Sequence, residues 1–428
     1  MEEKAHATKQ HQHLQRLHCS VKNYDWGLPG RISNVARLYA LNSGSQFHPD
    51  EPYAELWMGT HDSEPSFLVS NGAQRVTLKA WISQNPDVLG EKVLQKWGCD
   101  LPFLFKVLSV GKALSIQAHP DKELARTLHK LQPNLYKDGN HKPEMALAMT
   151  DFEALCGFIT PKELKAVLHT VPEVVELVGA ANANLILQTR DQDGEEKVKP
   201  VLQTVFTHLM SASKEKVTDA VNRLKSRLHK ESEVRQLTDK EQLVLRLEKQ
   251  YPADVGVIAA FFLNLVKLSP GEALFLGANE PHAYLHGECI ECMATSDNVV
   301  RAGLSPKHRD VQTLCSMLTY KQGSPEILPG VPLNPYVKKY TPPFKEFEID
   351  RCILPQGKTV VFPAVPGPSI FLVTVGEGVM NTGSPSKEQV VSEGDVLFAA
   401  AYTEISVTSA SELHLYRTGV NSRFFQAS

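Results

Sequence analysis

Three separated stretches of this 428-residue chain carry side chains able to hold a metal or move a proton. In Ser115-Ile116-Gln117-Ala118-His119, polar and apolar residues alternate. On a strand, Ser115, Gln117 and His119 would therefore share one face. Tyr136-Lys137-Asp138-Gly139-Asn140-His141-Lys142-Pro143-Glu144 is dense in hydrogen-bonding groups and runs into apolar text, which puts Glu144 at the edge of buried structure. Asn279-Glu280-Pro281-His282-Ala283-Tyr284 places a histidine after a proline-bearing loop at a strand end. Taken singly, these are equally an exposed strand face, a surface turn and a hydrogen-bonded histidine. Together they supply two imidazoles and a carboxylate, His119, His282 and Glu144, the donor set of a catalytic zinc, with the Gln117 carbonyl as a neutral fourth donor. One Zn²⁺ in such a set keeps net positive charge and can take further oxygen ligands. Manganese and iron accept the same donors.

A fourth stretch, Ser296-Asp297-Asn298-Val299-Val300-Arg301-Ala302-Gly303, sets Arg301 beside a turn and near Lys307. Arg301 could hold an anionic group, stabilise charge developing on an oxygen, or simply pair with Asp297. Cys289-Ile290-Glu291-Cys292 invites a redox or zinc-knuckle interpretation. On a strand, however, residues three apart face opposite sides, and no second C-x-x-C completes a Cys₄ site.

The elements that must position these groups change character along the chain. From Val35 to Met149, short apolar runs and turns such as Asn71-Gly72 and Gly111-Lys112 read as β-structure, with helices at Leu78 to Asn85 and Asp121 to Leu131. Thr160-Pro161-Lys162-Glu163 and Thr238-Asp239-Lys240-Glu241 are capping boxes. Between them Val201, Val205, Leu209 and Val217, Val221, Leu224, Leu228 recur at helical spacing. Residues 160 to about 265 are thus expected to form a helical block interrupted by a polar loop, Asp191 to Lys197. β-type text resumes at Pro270, and Pro270-Gly271-Glu272-Ala273-Leu274-Phe275-Leu276 is echoed by Glu393-Gly394-Asp395-Val396-Leu397-Phe398-Ala399. The echo, with Ser369 to Val375 running into Gly376-Glu377-Gly378, suggests a β-barrel unit of the cupin or jelly-roll type used twice. The expected fold is mainly β with a helical insert. Residues 1–159 and 266–334 would form the catalytic cupin-like part, 160–265 the α-helical insert, and 335–428 a C-terminal jelly roll, the last boundary lying in proline-rich text.

Composition excludes several classes of function. With a net charge of −3 and both signs scattered, no extended basic face is available for nucleic acid. The most apolar stretch, Val255 to Val266, is too short to span a bilayer, and the polar start lacks a signal-peptide core. Seven dispersed cysteines do not form a disulfide framework, which favours the cytoplasm.

These segments resemble the type I mannose-6-phosphate isomerase family. The resemblance rests on Tyr136-x-Asp138-x-Asn140-His141-Lys142-Pro143-Glu144, on His282-Ala283-Tyr284-Leu285-x-Gly287 and on Glu291-x-Met293-Ala294-x-Ser296-Asp297-Asn298. Arg301-Ala302-Gly303 with Pro306-Lys307, Asn23-Tyr24-Asp25-Trp26-Gly27 and the run Pro52 to His61 extend it to nearly the whole chain. Ser305 replaces the usual threonine and keeps the hydroxyl. The resemblance implies zinc on Gln117, His119, Glu144 and His282, an active-site Arg301, a cupin-type catalytic domain with a helical insert, and a monomer. Tyr284, Asp297 and Trp26, which stand in these motifs, become expected substrate contacts. Tyr402-Thr403-Glu404 stands where a metal histidine would fall in the C-terminal echo, so no metal is expected there.

An aldose–ketose isomerase must open the sugar ring, carry a proton between C2 and C1, and stabilise the enediolate between them. The candidates for the proton carrier are His61, Glu291 and a water on the metal. Ser115, Lys106 and Lys142, then Lys307, are the candidates for holding the phosphate. Two rival readings of the same residues are a metal cupin oxygenase and a sugar-phosphate sensor without turnover.

Overall fold

Two antiparallel sheet systems and a helical block divide the chain in the computed structural model, which describes residues 13–69, 75–190, 192–383 and 388–426. The anticipated Asn71-Gly72 turn and the start of the Asp191 loop lie outside the described residues. The sheet that carries the site runs in the order 327–328, 273–276, 144–148, 282–294, 103–110, 55–58, 20–22. Its centre is the long strand His282–Ala294, buried at all but one of its 13 positions. That strand also pairs with Phe152–Phe158 and, at His282 opposite Gln117, with Ile116–Ala118, which in turn pairs with Val300–Gly303. One strand thus brings together all four chemically rich stretches.

The two cysteines of the C-x-x-C fall on opposite faces, as strand alternation requires. Cys289 packs with Leu108, Ala146 and Tyr284, and Cys292 with Leu56, Phe105 and Met145. Both are free and buried.

The helical block comprises helices from Pro161–Thr170 to Val255–Ala259. Both capping boxes form: Thr160 and Thr238 accept from the backbone N–H of Glu163 and Glu241, whose carboxylates return to the cap. Helix resumes at Glu195, earlier than the polar text suggests, because Glu195 and Glu196 suit the positive end of a helix. At the other end the strand Leu263–Leu268 begins slightly before the expected limit of the helices. The apolar core of this block is continuous with Ile116, Ala118, Ala283, Leu285, Val300 and Ala302, so the helices pack against the back of the strands that hold the candidate ligands. No helix of the described residues is long and apolar enough to cross a membrane.

In the C-terminal part an eight-stranded sheet and a four-stranded sheet share one core, with Cys352, Phe371 and Leu415 from the first meeting Phe362, Met380 and Val407 from the second. The larger sheet is completed by N-terminal residues: Leu14–His18 pairs with Val396–Ala399 on one side and with Phe67–Leu68 on the other. Sheet membership and chain order therefore part company at the amino end. The sequence echo has a structural counterpart. Gly271 (φ +89°) and Gly394 (φ +88°) each make a left-handed turn before Ala273–Leu276 and Val396–Ala399, and each turn's glycine has a neighbour that a Cβ would strike.

Candidate active site

His119 follows its strand directly, and its Nδ1 lies 2.7 Å from the Asn298 carbonyl; His282 Nδ1 lies 3.0 Å from the Glu280 carbonyl. A carbonyl can only accept, so both rings carry their proton on Nδ1 and present Nε2 as a lone pair. Each Nε2 is 3.3 Å from one oxygen of Glu144, at the start of Glu144–Ala148. Both Nε2 atoms are buried without a hydrogen-bond partner among the described residues, and ligating atoms of the three residues lie within 4.8 Å of one another. Buried polar atoms are rarely left unpaired, and two imidazole lone pairs converging on a carboxylate fit a cation at their centre. Burial pushes His119 down to about 4, so the ring is neutral, as a ligand must be. Burial alone would raise Glu144, while the Lys142 ammonium, 3.6 Å away, draws it down.

The motif residues between the ligands fasten the two loops together. Asn298 donates to the Asp138 carbonyl at 2.7 Å and to the Asn140 carbonyl at 3.1 Å, while Asn140 donates to the Thr295 carbonyl at 2.9 Å. His141 reaches away to Glu346 of the C-terminal part at 2.5 Å.

The triad opens into a cavity of about 360 Å³ lined by Trp26, Lys106, Ser115, Gln117, Lys142, Glu144, His282, Tyr284, Glu291, Arg301 and Lys307 among others, a size suited to a small polar ligand. Deep in it, Lys106 Nζ lies 3.4 Å from Glu291 and 3.8 Å from Glu55, and Tyr284 donates to Glu291 at 2.9 Å. Trp57 donates to Glu55 at 2.5 Å and offers its ring face to Lys106. Lys142 lies 3.6 Å from Glu144. Two ammonium groups therefore face three buried carboxylates. Burial alone would lower Lys106, but Glu55, Glu291 and Glu144 outweigh it and leave the ammonium raised. Burial, with Glu144 and Glu55, pushes Glu291 up to about 7 against the pull of Lys106 and Lys142. At Glu291 burial outweighs the ion pair, whereas at Lys106 the three carboxylates outweigh burial, so both partners are raised.

Arg301 lines the same cavity, half-buried, and among the described residues its guanidinium has no ion-pair or hydrogen-bond partner. The pairing with Asp297 is absent: Asp297 binds His61 Nε2 at 3.1 Å, and Ser63 engages His61 Nδ1. Neither His61 nor Asp297 lines the cavity. Eleven of the other sequence candidates converge on it, and the twelfth, His119, meets it through Glu144. Glu55, Tyr251 and Lys112 line it without having been singled out as site residues. Glu55 was accessible through alternation, since it stands two residues before Trp57 on a strand whose Trp57 pairs with Lys106. Tyr251 comes from the helical block, and no local pattern marks it.

Residues 14–160 match the catalytic domain of type I phosphomannose isomerase, and residues 177–263 match its helical insertion domain. The chain belongs to the type I phosphomannose isomerase family. Mannose-6-phosphate isomerase 1 of Arabidopsis thaliana is 62% identical over 412 residues, covering 96% of this chain and 95% of that protein. The Homo sapiens mannose-6-phosphate isomerase is 43% identical over 411 residues, covering 94% and 97%. Among solved structures, an arginine-to-alanine variant of phosphomannose isomerase from Salmonella typhimurium superimposes with a TM-score of 0.80 at 29% identity, covering 95% of this chain and 99% of that one. A mannose 6-phosphate isomerase bound with zinc and yttrium gives a TM-score of 0.78 at 28% identity, covering the same shares. As a member of this family the chain is an isomerase.

Proposed function

We propose that the chain interconverts D-mannose 6-phosphate and D-fructose 6-phosphate, with one Zn²⁺ held by His119, Glu144, His282 and Gln117. The observation that carries the metal is the convergence of two buried, unpartnered imidazole nitrogens on Glu144. A zinc-bound structure among the relatives supports its identity. When bound, the ion supplies Lewis acidity toward the substrate oxygens.

The chain's own residues account for the proton transfer. Glu291 takes the proton from C2 of the open-chain aldose; the C2–H electron pair becomes the C1–C2 double bond, and the carbonyl electrons move to O1. Glu291 then gives its proton to C1 while the O2 proton passes to O1, which yields the ketose and restores the carboxylate. Lys106 and Tyr284 hold the Glu291 carboxyl in place, and its pKa near 7 lets it accept and release a proton with little bias. Arg301, which has no ion-pair partner among the described residues, receives the phosphate together with Lys307 and Ser115. Lys106 and Lys142, committed to buried carboxylates, fit the proton-transfer end better than the phosphate end. Trp26 walls the opening.

In this account the paired sheets are cupin and jelly-roll barrels, with residues 1–159 and 266–334 catalytic, 160–265 the insert and 335–428 the second barrel. The enzyme is a cytoplasmic monomer whose partner is the sugar phosphate alone. Turnover in deuterium oxide tests the proton transfer: deuterium at C1 of fructose 6-phosphate supports it, and complete retention of the substrate hydrogen through many cycles of interconversion contradicts it. The oxygenase alternative requires dioxygen, so isomerisation under anaerobic conditions sets it aside; a sensor would give no turnover.

A further inference from the structure

One wall of the cavity is clasped from behind by the helical insert. Asp254 stands at the amino end of the short helix Val255–Ala259, and its Oδ1 accepts from the N–H of Gly256 at 2.7 Å. The same oxygen accepts from the N–H of Leu304 at 2.7 Å, and Oδ2 accepts from the N–H of Ser305 at 3.2 Å. Leu304 and Ser305 lie between Arg301 and Lys307, and all four line the cavity. Leu304 has φ +54°, a left-handed conformation that a leucine does not adopt without being held. The backbones also touch: a Cβ on Gly303 would lie 2.6 Å from the Gly256 Cα and 2.9 Å from Asp254 Oδ1, and one on Gly256 would lie 2.6 Å from the Leu304 nitrogen. Three residues before Asp254, Tyr251 reaches the cavity, donates to the Ala113 carbonyl at 2.5 Å and lies under Lys112.

An N-cap requires one accepted N–H within its own helix. Asp254 does more, fixing two backbone groups of a segment about 50 residues away that carries Arg301 and Lys307, cavity-lining cations whose side chains have no partner among the described residues. We propose that Asp254 is a positioning residue through which the helical insert sets the grip of Arg301 and Lys307 on the anionic end of the substrate. The proposal rests on the assignment of that end to phosphate. Without the clasp, Leu304 relaxes, the Arg301–Lys307 segment loses its fixed path, and binding weakens while Glu291 and the metal ligands, on other strands, stay in place.

The test uses zinc-loaded full-length protein, steady-state kinetics with mannose 6-phosphate, and inorganic phosphate as a competitive probe. Asp254→Ala should raise KM and the phosphate inhibition constant by about tenfold each, with kcat within about twofold and zinc content unchanged. Asp254→Ser restores a helix cap but is too short to hold both distant N–H groups, so it should regain stability without regaining KM. It decides the question if the alanine form is unstable. Gly303→Ala, which forces the clasp apart from its other side, should repeat the pattern. Unchanged KM and phosphate inhibition in folded, zinc-bearing Asp254→Ser would overturn the positioning role, as would a loss confined to kcat or zinc. An active wild-type protein that inorganic phosphate does not inhibit competitively would overturn the phosphate assignment itself.

Discussion

Replacing Glu291 by glutamine removes the proposed proton carrier while keeping its shape and its acceptor for Tyr284. A positioned general base contributes about 10²–10⁴-fold, so kcat should fall within that range while zinc content holds. The pH profile is the sharper readout. The carboxyl stands at about 7 against an ordinary 4.5, which corresponds to about 3 kcal/mol of preference for the neutral form. The base is active only when deprotonated, so kcat should lose tenfold per unit on the acid side of its pKa and level off above it. Zinc on the proposed ligands would neutralise part of the Glu144 charge that raises Glu291, so the limb in the loaded enzyme should fall at or below 7. Neighbouring charges then move it in opposite directions. Lys106, at 3.4 Å, contributes about 1–5 kcal/mol for effective dielectric constants between 80 and 20, so Lys106→Met should move the limb up by about one unit or more. Glu55 raises Glu291, so Glu55→Gln should move the limb down. Titration of the substrate phosphate is common to every variant and cancels in these differences. An acid limb untouched by Glu291→Gln, or displaced in the same direction by both charge variants, would refute the assignment.

Arg301→Ala should retain zinc by elemental analysis yet lose about 10²-fold in kcat/KM, because the only half-buried cation of the cavity without a partner among the described residues is gone. Gln117→Ala should weaken zinc retention in chelator competition, and His119→Ala should do so more severely, since it leaves Glu144 facing one imidazole. His61→Asn should keep kcat within about threefold, because His61 does not line the cavity and both its ring nitrogens are engaged by Asp297 and Ser63. A large loss there would return His61 to the list of proton carriers.

What the sequence made legible was local. Capping boxes at Thr160 and Thr238, the Asp121 cap and the turn glycines Gly271 and Gly394 depend on neighbours a few residues apart, and each forms as spacing dictates. The cluster of His119, Glu144 and His282 that could hold a metal was legible because its three short stretches each carry an unusual density of ligating groups. Sheet membership was not. Leu14–His18 joins Val396–Ala399 across almost the entire chain, a pairing set by tertiary packing. The same limit hid Glu55, whose importance lies in sharing Lys106 with Glu291, and Asp254, whose partners are two backbone N–H groups that sequence cannot mark. Partner choice was equally hidden: Asp297, one of the partners that spacing allowed Arg301, meets His61 instead, and Arg301 lines the cavity with no ion pair among the described residues.

The most direct test of the central claim is formation of fructose 6-phosphate from mannose 6-phosphate by the purified protein, followed before chelation, after chelation and after zinc is restored. The account predicts conversion that is lost with the metal and regained with it. Correctly folded, zinc-loaded protein that produces no fructose 6-phosphate would contradict it.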